Sequence, residues 1–160
     1  LQSMNSLPAS RNKNRRNGFT LTEILLVMVL FVSTFSLLIP IGFRLYRNTL
    51  VDDTSRTLVE TLRRARTYAQ TGRGDAAYGV KIVSASSSLV LFQGNSYAAR
   101  NASEDEVIYY SSTVTISASS TETVFSRLYG TSTVDGAWTV SFGALTSVVS
   151  INRQGTIELE

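Results

Sequence analysis

The chain has 160 residues, with fifteen Lys and Arg against twelve Asp and Glu, and it contains no cysteine and no histidine. These absences exclude disulfide bonds, zinc sites built on Cys or His, and hydrolase triads that depend on histidine. We therefore expect no metal, no cofactor and no enzymatic activity, whereas 43% hydrophobic residues suffice for the core of one domain.

The positive charge is concentrated at the N-terminus. Residues 1–18 hold four basic residues and no acidic one, namely Arg11, Lys13, Arg15 and Arg16. Taking these four from the fifteen leaves eleven basic against twelve acidic residues from Phe19 onward. The excess positive charge therefore belongs to the N-terminal segment, and the rest of the chain is nearly neutral.

A long apolar run follows the basic segment. Between Phe19 and Phe43 the only charged residue is Glu23, and the twenty positions from Ile24 to Phe43 carry no charge. A helix of this length matches a hydrocarbon layer ~30 Å thick, so the run predicts a transmembrane helix with a cytoplasmic N-terminus. The run is longer than the ~7–15 apolar residues of a signal peptide. A plain signal anchor explains the hydropathy but not Glu23.

The residues before the apolar run resemble a known processing site. The segment from Arg15 to Glu23, Arg-Arg-Asn-Gly-Phe-Thr-Leu-Thr-Glu, is similar to the leader junction of type IV prepilins and type II secretion pseudopilins. The resemblance implies cleavage by a prepilin peptidase between Gly18 and Phe19, removal of the leader 1–18, and N-methylation of Phe19. Glu23 would then pair with the Phe19 ammonium of a neighbouring subunit in a filament.

The same resemblance implies the partners and the location of the protein. The partners are the prepilin peptidase, other pilin or pseudopilin subunits, an inner-membrane assembly platform and the lipid of the inner (plasma) membrane. The chain would cross that membrane once, with its head periplasmic or extracellular, and would enter a filament after assembly. Leu58-x-x-x-Leu62-Arg63-Arg64-Ala65-Arg66 resembles minor pseudopilins of the GspH/FimT type.

Two residues within the apolar run predict an irregularity in the helix. Pro40 removes one intrahelical hydrogen bond and clashes with the preceding turn, and Gly42 adds backbone freedom. We expect a kink or local melting at this point. The family resemblance implies an extended segment here in filaments, and an ordinary proline kink remains the alternative.

Residues 44–72 are predicted to continue the helix as an amphipathic second half. Glu60 and Arg64 are spaced for an i,i+4 ion pair, and the glycines of 71–75 end the helix. The Arg-Gly-Asp tripeptide at 73–75 is interpreted as this turn and not as an adhesion motif. The buried seam is predicted to consist of Val51, Ser55, Leu58, Leu62, Ala65 and Ala69.

Residues 73–160 predict a β-rich head. Apolar residues alternate with polar ones from Tyr78 to Ile82 and from Trp138 to Phe142, with Ser, Gly and Asn turns between short strands. The longest loop is expected at 94–105. The predicted fold class is α+β and pilin-like: one long N-terminal α-helix packs on a C-terminal antiparallel β-sheet head, with one sheet or two.

The sequence supports a structural subunit of a type IV pilus or type II secretion pseudopilus. A minor subunit is favoured over a major one, because the chain lacks a Pro-Trp-Gly motif and cysteines. One alternative is a DNA-uptake minor pilin that binds DNA through Arg63, Arg64, Arg66 and Arg73. Another is a signal-anchored extracytoplasmic β domain that binds a ligand. Lys81 as a catalytic base and Glu104–Glu106 as a calcium site are both disfavoured.

Overall fold

The computed structural model describes residues 18–160, except for the side chains of residues 37–41. The chain divides into two units, with the boundary between Pro40 and Ile41. Residues 1–17 of the predicted leader and the side chain of Pro40 lie outside the described residues. The processing of the leader and the kink at Pro40 and Gly42 therefore stay predictions.

One long helix and eight strands make up the described chain. Helix α1 spans Leu21–Gln70, and it is followed by single 3-10 turns at Arg73–Asp75 and Ser84–Ser86. The strands are β1 Tyr78–Val83, β2 Ser88–Gln93, β3 Asn101–Tyr109, β4 Thr115–Ala118, β5 Glu122–Phe125, β6 Gly136–Phe142, β7 Leu145–Ile151 and β8 Ile157–Leu159.

The strands form two antiparallel sheets of four. Sheet I has the order β3-β2-β1-β5, and sheet II has the order β4-β6-β7-β8. Most neighbours in each sheet are joined by short turns, as expected for an antiparallel meander. The α+β, pilin-like fold class predicted from the sequence is confirmed, and the head contains two sheets and not one.

The second half of α1 packs against both sheets through the seam that the periodicity predicts. All six seam residues are buried, with exposed fractions of 4% or less. They share one core with apolar residues of sheet I, such as Tyr78 and Leu91, and of sheet II, such as Trp138 and Val149. The Glu60–Arg64 pair is also present, with 3.7 Å between its charged atoms. A helical repeat of 3.6 residues thus explains how α1 docks on the head.

A smaller apolar cluster lies on the opposite face of sheet I. Phe92 is fully buried there with Ala77 and Val124, and Tyr97 packs on it edge-to-face with ring centroids 5.6 Å apart. Gly79 makes this packing possible, because a Cβ at that position would lie 2.4 Å from the Phe92 ring and 2.7 Å from the Thr123 carbonyl oxygen. The cluster covers part of the face of sheet I that α1 does not cover.

The C-terminus of α1 is closed by a loop from the head. Leu128 donates its backbone N–H to the carbonyl of Ala69 at 2.9 Å, and the Gln70 side chain donates to the carbonyl of Tyr129 at 3.5 Å. Leu128 adopts a positive φ of 68°, as does Gly72 with 65°. The last carbonyls of the helix are therefore partly satisfied by residues far away in sequence.

The predicted loop at 94–105 is wrong in its second half. Strand β3 begins at Asn101, and its register with β2 shifts between the pairs Leu91–Glu106 and Gln93–Asn101. Four residues of β3, 102–105, thus lie opposite the single residue Phe92 of β2, which makes a large bulge. Polar residues in a bulged strand do not alternate with apolar ones, so the sequence pattern resembles a loop.

Candidate functional site

Thr20 caps the N-terminus of α1. Its carbonyl accepts hydrogen bonds from the N–H groups of Glu23 at 3.1 Å and Ile24 at 3.2 Å, and its hydroxyl accepts from Glu23 N–H at 3.3 Å. Threonine followed three residues later by glutamate is the capping-box pattern. Sequence analysis missed this role of Thr20, although the Thr-Leu-Thr-Glu spacing carried the signal. The carboxylate of Glu23 also lies in the first turn, where the helix dipole favours negative charge.

The predicted cleavage point lies just outside the helix. Residues 18–20 have no regular secondary structure, and both Gly18 and Phe19 are exposed. A Cβ at Gly18 would meet no atom of the described part of the chain within 4 Å, so these residues leave the backbone there open to close approach. Glu23 is exposed, and within residues 18–160 its carboxylate takes part in no ion pair. The geometry leaves both the peptide bond and the carboxylate accessible.

The first half of α1 exposes apolar side chains on all sides. Every residue from Ile24 to Val32 is more than 40% exposed, as is Phe35. The hydroxyls of Ser33 and Thr34 donate to the carbonyl of Leu30 at 2.9 and 2.8 Å, which satisfies them within the helix. Such a surface is stable only when lipid or other apolar helices cover it.

The sequence predicts a transmembrane helix over residues 19–43. Within the described residues, the structure contains no helix that is long and apolar enough to cross a membrane.

The arginines of the alternative DNA-binding surface are engaged with the head in different places. Arg63 donates to the carbonyl of Ile157 at 3.4 Å and Arg66 to that of Gln154 at 3.2 Å, so these two meet the β7–β8 turn and β8. Arg64 points elsewhere, to the carboxylate of Glu106 on β3 in sheet I. The structure brings Arg63 and Arg66 together and separates Arg64 from them.

The last of these arginines, Arg73, makes a cation–π contact, and the electrostatics of Arg64 reflect its ion pair. Arg73 lies over the ring of Tyr68 with its guanidinium carbon 4.5 Å from the centroid. The hydrogen bond from Arg64 to Glu106 raises the pKa of Arg64 above its ordinary value, with burial acting in the opposite direction. The hydrogen bonds of Arg63, Arg64 and Arg66 favour a structural role for these three arginines in joining α1 to the head.

Lys81 lies on the face of sheet I opposite to Val80 and Ile82. Its ammonium donates to the hydroxyl of Thr121 at 2.9 Å and pairs with Glu122 at 3.5 Å. Within residues 18–160, no cluster of three or more acidic side chains is arranged to hold a metal ion. The arrangement around Lys81 is that of a charge pair between neighbouring strands.

A long helix docked by its seam on two antiparallel sheets is the architecture of the type IV pilin fold. The chain is similar to two crystal structures of the type IV minor pilin FimU of Pseudomonas aeruginosa strain PAO1. In one the identity is 19%, the TM-score 0.54, and the match covers 68% of this chain and 91% of that chain. In the other the values are 20%, 0.56, 72% and 90%. No family model matches the sequence. No curated protein matches it either.

Proposed function

We propose that this protein is a minor subunit of a type IV pilus and that it has a structural and not a catalytic role. The observation that carries the proposal is the first half of α1, whose apolar side chains are exposed on every side directly after a prepilin-like junction. Removal of such a surface from water yields roughly 25 cal/mol per Å² of apolar area, so this half of the helix would lie in a membrane or pack against other apolar helices in a filament core.

The maturation step follows from the residues at the junction. Cleavage between Gly18 and Phe19 would create an α-amino group with a reference pKa of about 7.7–8.0, which is largely cationic at neutral pH. N-methylation by the same peptidase would keep that charge. The exposed carboxylate of Glu23 is then the partner that an adjacent subunit offers to this ammonium.

Before assembly, the apolar segment 19–43 would hold the subunit in the inner membrane. The uncharged stretch from Ile24 to Phe43 has the length of a membrane-crossing helix, and the four basic residues of the leader favour a cytoplasmic N-terminus. The membrane would supply the apolar surroundings until an assembly platform passes the helix to neighbouring subunits. Residues 44–72 would then carry the head, 73–160, on the filament surface.

A type II secretion pseudopilus would use the same helix and the same junction. We favour the pilus, because the two similar structures are those of a pilus protein. A DNA-uptake role receives less support, because Arg63, Arg64 and Arg66 already donate hydrogen bonds to the head.

Mass spectrometry of the mature N-terminus tests the proposed maturation. The chain is expressed in cells with an active prepilin peptidase, and we expect a new terminus at Phe19 that carries one additional methyl group. Replacing Gly18 with alanine puts a side chain at the cleavage point and should leave the leader attached. An intact leader in the unmodified chain, or a terminus between residues 33 and 44, would contradict the proposal and favour a signal-anchored protein.

The assembly role of Glu23 is tested separately with a matched pair of variants. Glu23→Gln keeps the size and the hydrogen-bonding capacity of the side chain but removes its charge, whereas Glu23→Asp keeps the charge. We expect Glu23→Gln to reduce incorporation into filaments at least about tenfold, because the neighbouring ammonium would be buried without a counter-charge. Incorporation of Glu23→Gln at the normal rate would remove the pairing role.

A further inference from the structure

Among residues 18–160, no element covers strand β3, which is an edge of sheet I. The opposite edge, β5, is covered at Val124, because the Thr133 N–H donates to the carbonyl of Val124 at 3.0 Å and the Thr133 hydroxyl accepts from the Val124 N–H at 3.1 Å. In sheet II, the side chain of Arg63 donates to the carbonyl of Ile157 on the edge strand β8. The remaining edge strand, β4, has only four residues, whereas β3 has nine.

The outward-facing backbone groups of β3 follow from one hydrogen bond. Tyr110 donates its N–H to the carbonyl of Ser87 at 2.9 Å, across the β2–β3 pair. Because backbone groups point to alternate sides along a strand, Ile108 also faces β2, and the N–H and C=O groups of Val107 and Tyr109 face away from it. The side chains of Val107 and Tyr109 are 45% and 73% exposed. Unpaired backbone groups beside exposed apolar side chains are a template for another strand.

The charge along β3 is unbalanced at its N-terminal end. Asp105 is bound by Arg100 at 2.7 Å, and Glu106 is bound by Arg64. Glu104 is exposed and takes part in no ion pair among the described residues. The nine residues of β3 include three acidic residues and no basic one. A partner strand is therefore favoured when it brings a positive charge to Glu104.

We propose that the β3 edge binds an extended, basic segment of a different protein by β-strand addition. Backbone hydrogen bonds would form at Val107 and Tyr109, apolar side chains of the segment would contact theirs, and a Lys or Arg would lie opposite Glu104. A second copy of the chain fits less well, because its β3 contains no basic residue that could pair with Glu104. The proposal does not depend on the filament role, because it uses only the head.

A synthetic peptide tests the edge directly. The probe is a fluorescent nine-residue peptide of alternating Thr and Val with a lysine at each end, added to the full-length chain in detergent micelles. We expect binding, together with slower hydrogen exchange of the Val107 and Tyr109 amides, whereas the Ile108 amide should be unchanged. The same peptide with N-methyl groups on alternate residues cannot add to the edge and should not bind. Equal binding of the N-methylated peptide would overturn the proposal.

Two variants of the chain separate backbone pairing from charge. Val107→Pro removes an outward N–H and should weaken binding at least about tenfold, without removing the N–H of Ile108 that faces β2. Glu104→Lys changes only an exposed side chain, so this variant is expected to fold even if the proline variant does not.

The Glu104→Lys chain should bind a peptide with glutamate at each end more tightly than the peptide with lysine at each end.

Two results would contradict the proposal. The first is an unchanged peptide preference in Glu104→Lys. The second is protection of Val107 that rises with the concentration of the chain alone, together with a dimer in sedimentation, because that result would assign the edge to a second copy.

Discussion

At the scale of single residues, Ser55 departs from the apolar character of the helix seam. Its side chain is fully buried in the core that α1 shares with both sheets, and its hydroxyl has no hydrogen-bond partner among the described residues. A buried hydroxyl without a partner costs about 1–3 kcal/mol. The periodicity of the sequence placed Ser55 in the seam correctly but gave no reason for a polar residue there.

We expect Ser55→Ala to increase the free energy of unfolding by up to about 1 kcal/mol, because the variant removes an unsatisfied hydroxyl and adds no cavity. The matched control is Thr61→Ala. Thr61 is also buried, but its hydroxyl donates to the carbonyl of Thr57 at 2.7 Å, so this variant should be destabilised by about 1 kcal/mol. Chemical unfolding of the full-length chain in detergent, followed by circular dichroism, measures both. A destabilised Ser55→Ala would show that the hydroxyl stabilises the native state.

One buried and one partly buried tyrosine make the stability of the head sensitive to alkaline pH. Burial raises the pKa of Tyr78 and of Tyr110 above the ordinary value of 10.0. Near pH 10 and above, the unfolded chain therefore loses phenolic protons that the folded chain retains, so the free energy of unfolding falls as the pH rises. Unfolding measured from pH 8 to 11 should show this decrease, and Tyr78→Phe with Tyr110→Phe should flatten it. An equal decrease in the double variant would assign it to other groups.

At the scale of elements, the loop that caps the C-terminus of α1 contains a residue with a strained backbone, Leu128, which also donates a hydrogen bond to the helix. Leu128 adopts the left-handed conformation, which is unfavourable for a side chain with a Cβ, and yet its N–H reaches the carbonyl of Ala69. Its side chain is 57% exposed, so packing contributes little to holding the residue there. The hydrogen bonds at the helix end therefore offset the backbone strain of the loop.

We expect Leu128→Gly to be at least as stable as the unmodified chain, because glycine adopts a positive φ without strain. Leu128→Ala is the matched control, since alanine loses the same side chain but keeps the Cβ. The glycine variant should be more stable than the alanine variant by about 0.5–1 kcal/mol. Thermal unfolding of the two proteins gives the difference. If alanine were the more stable of the two, the greater entropy of the unfolded glycine chain would outweigh the strain.

Sequence patterns identified those elements that bury one regular face. The seam of α1 and the alternation of β6, from Trp138 to Phe142, were predicted because one side of each element lies on the core. Strand β5 and the first half of β3 were not predicted. Residues 101–106 bulge at an exposed edge, and β5 has four residues between Ser- and Thr-rich turns, so neither shows a clear period of two. The hydrogen bonds of Arg63 and Arg66 join α1 to distant residues and leave no local pattern in the sequence.

At the scale of the whole molecule, the N-terminal segment is basic and the rest of the chain is nearly neutral. The N-terminal segment holds the excess of basic residues, and the remainder contains eleven basic and twelve acidic residues from Phe19 onward. In the head, several of these charges are paired with each other, for example Arg127 with Asp75 at 2.5 Å. Removal of the leader would therefore leave a subunit whose surface charges are largely balanced.

The balance of charge predicts weak interaction with nucleic acid. We expect the mature chain in detergent micelles to show no binding of double-stranded DNA at 150 mM salt, because a neutral chain releases few counterions. Fluorescence anisotropy at several salt concentrations makes the measurement. The variant Arg63→Ala with Arg66→Ala serves as the control. Tight DNA binding that weakens steeply with salt and is lost in this variant would favour the DNA-uptake alternative.

The closing contact of α1 has a consequence for the order in which the chain folds. The hydrogen bonds from Leu128 to the carbonyl of Ala69 and from Gln70 to the carbonyl of Tyr129 each join residues far apart in sequence, so the last helical turn gains these contacts only after the β5–β6 loop has left the ribosome and docked. Such non-local contacts form late, because the entropy of a large loop must be lost first. During synthesis the end of α1 should therefore fray and re-form, and it should become stable only when the two sheets have assembled around it.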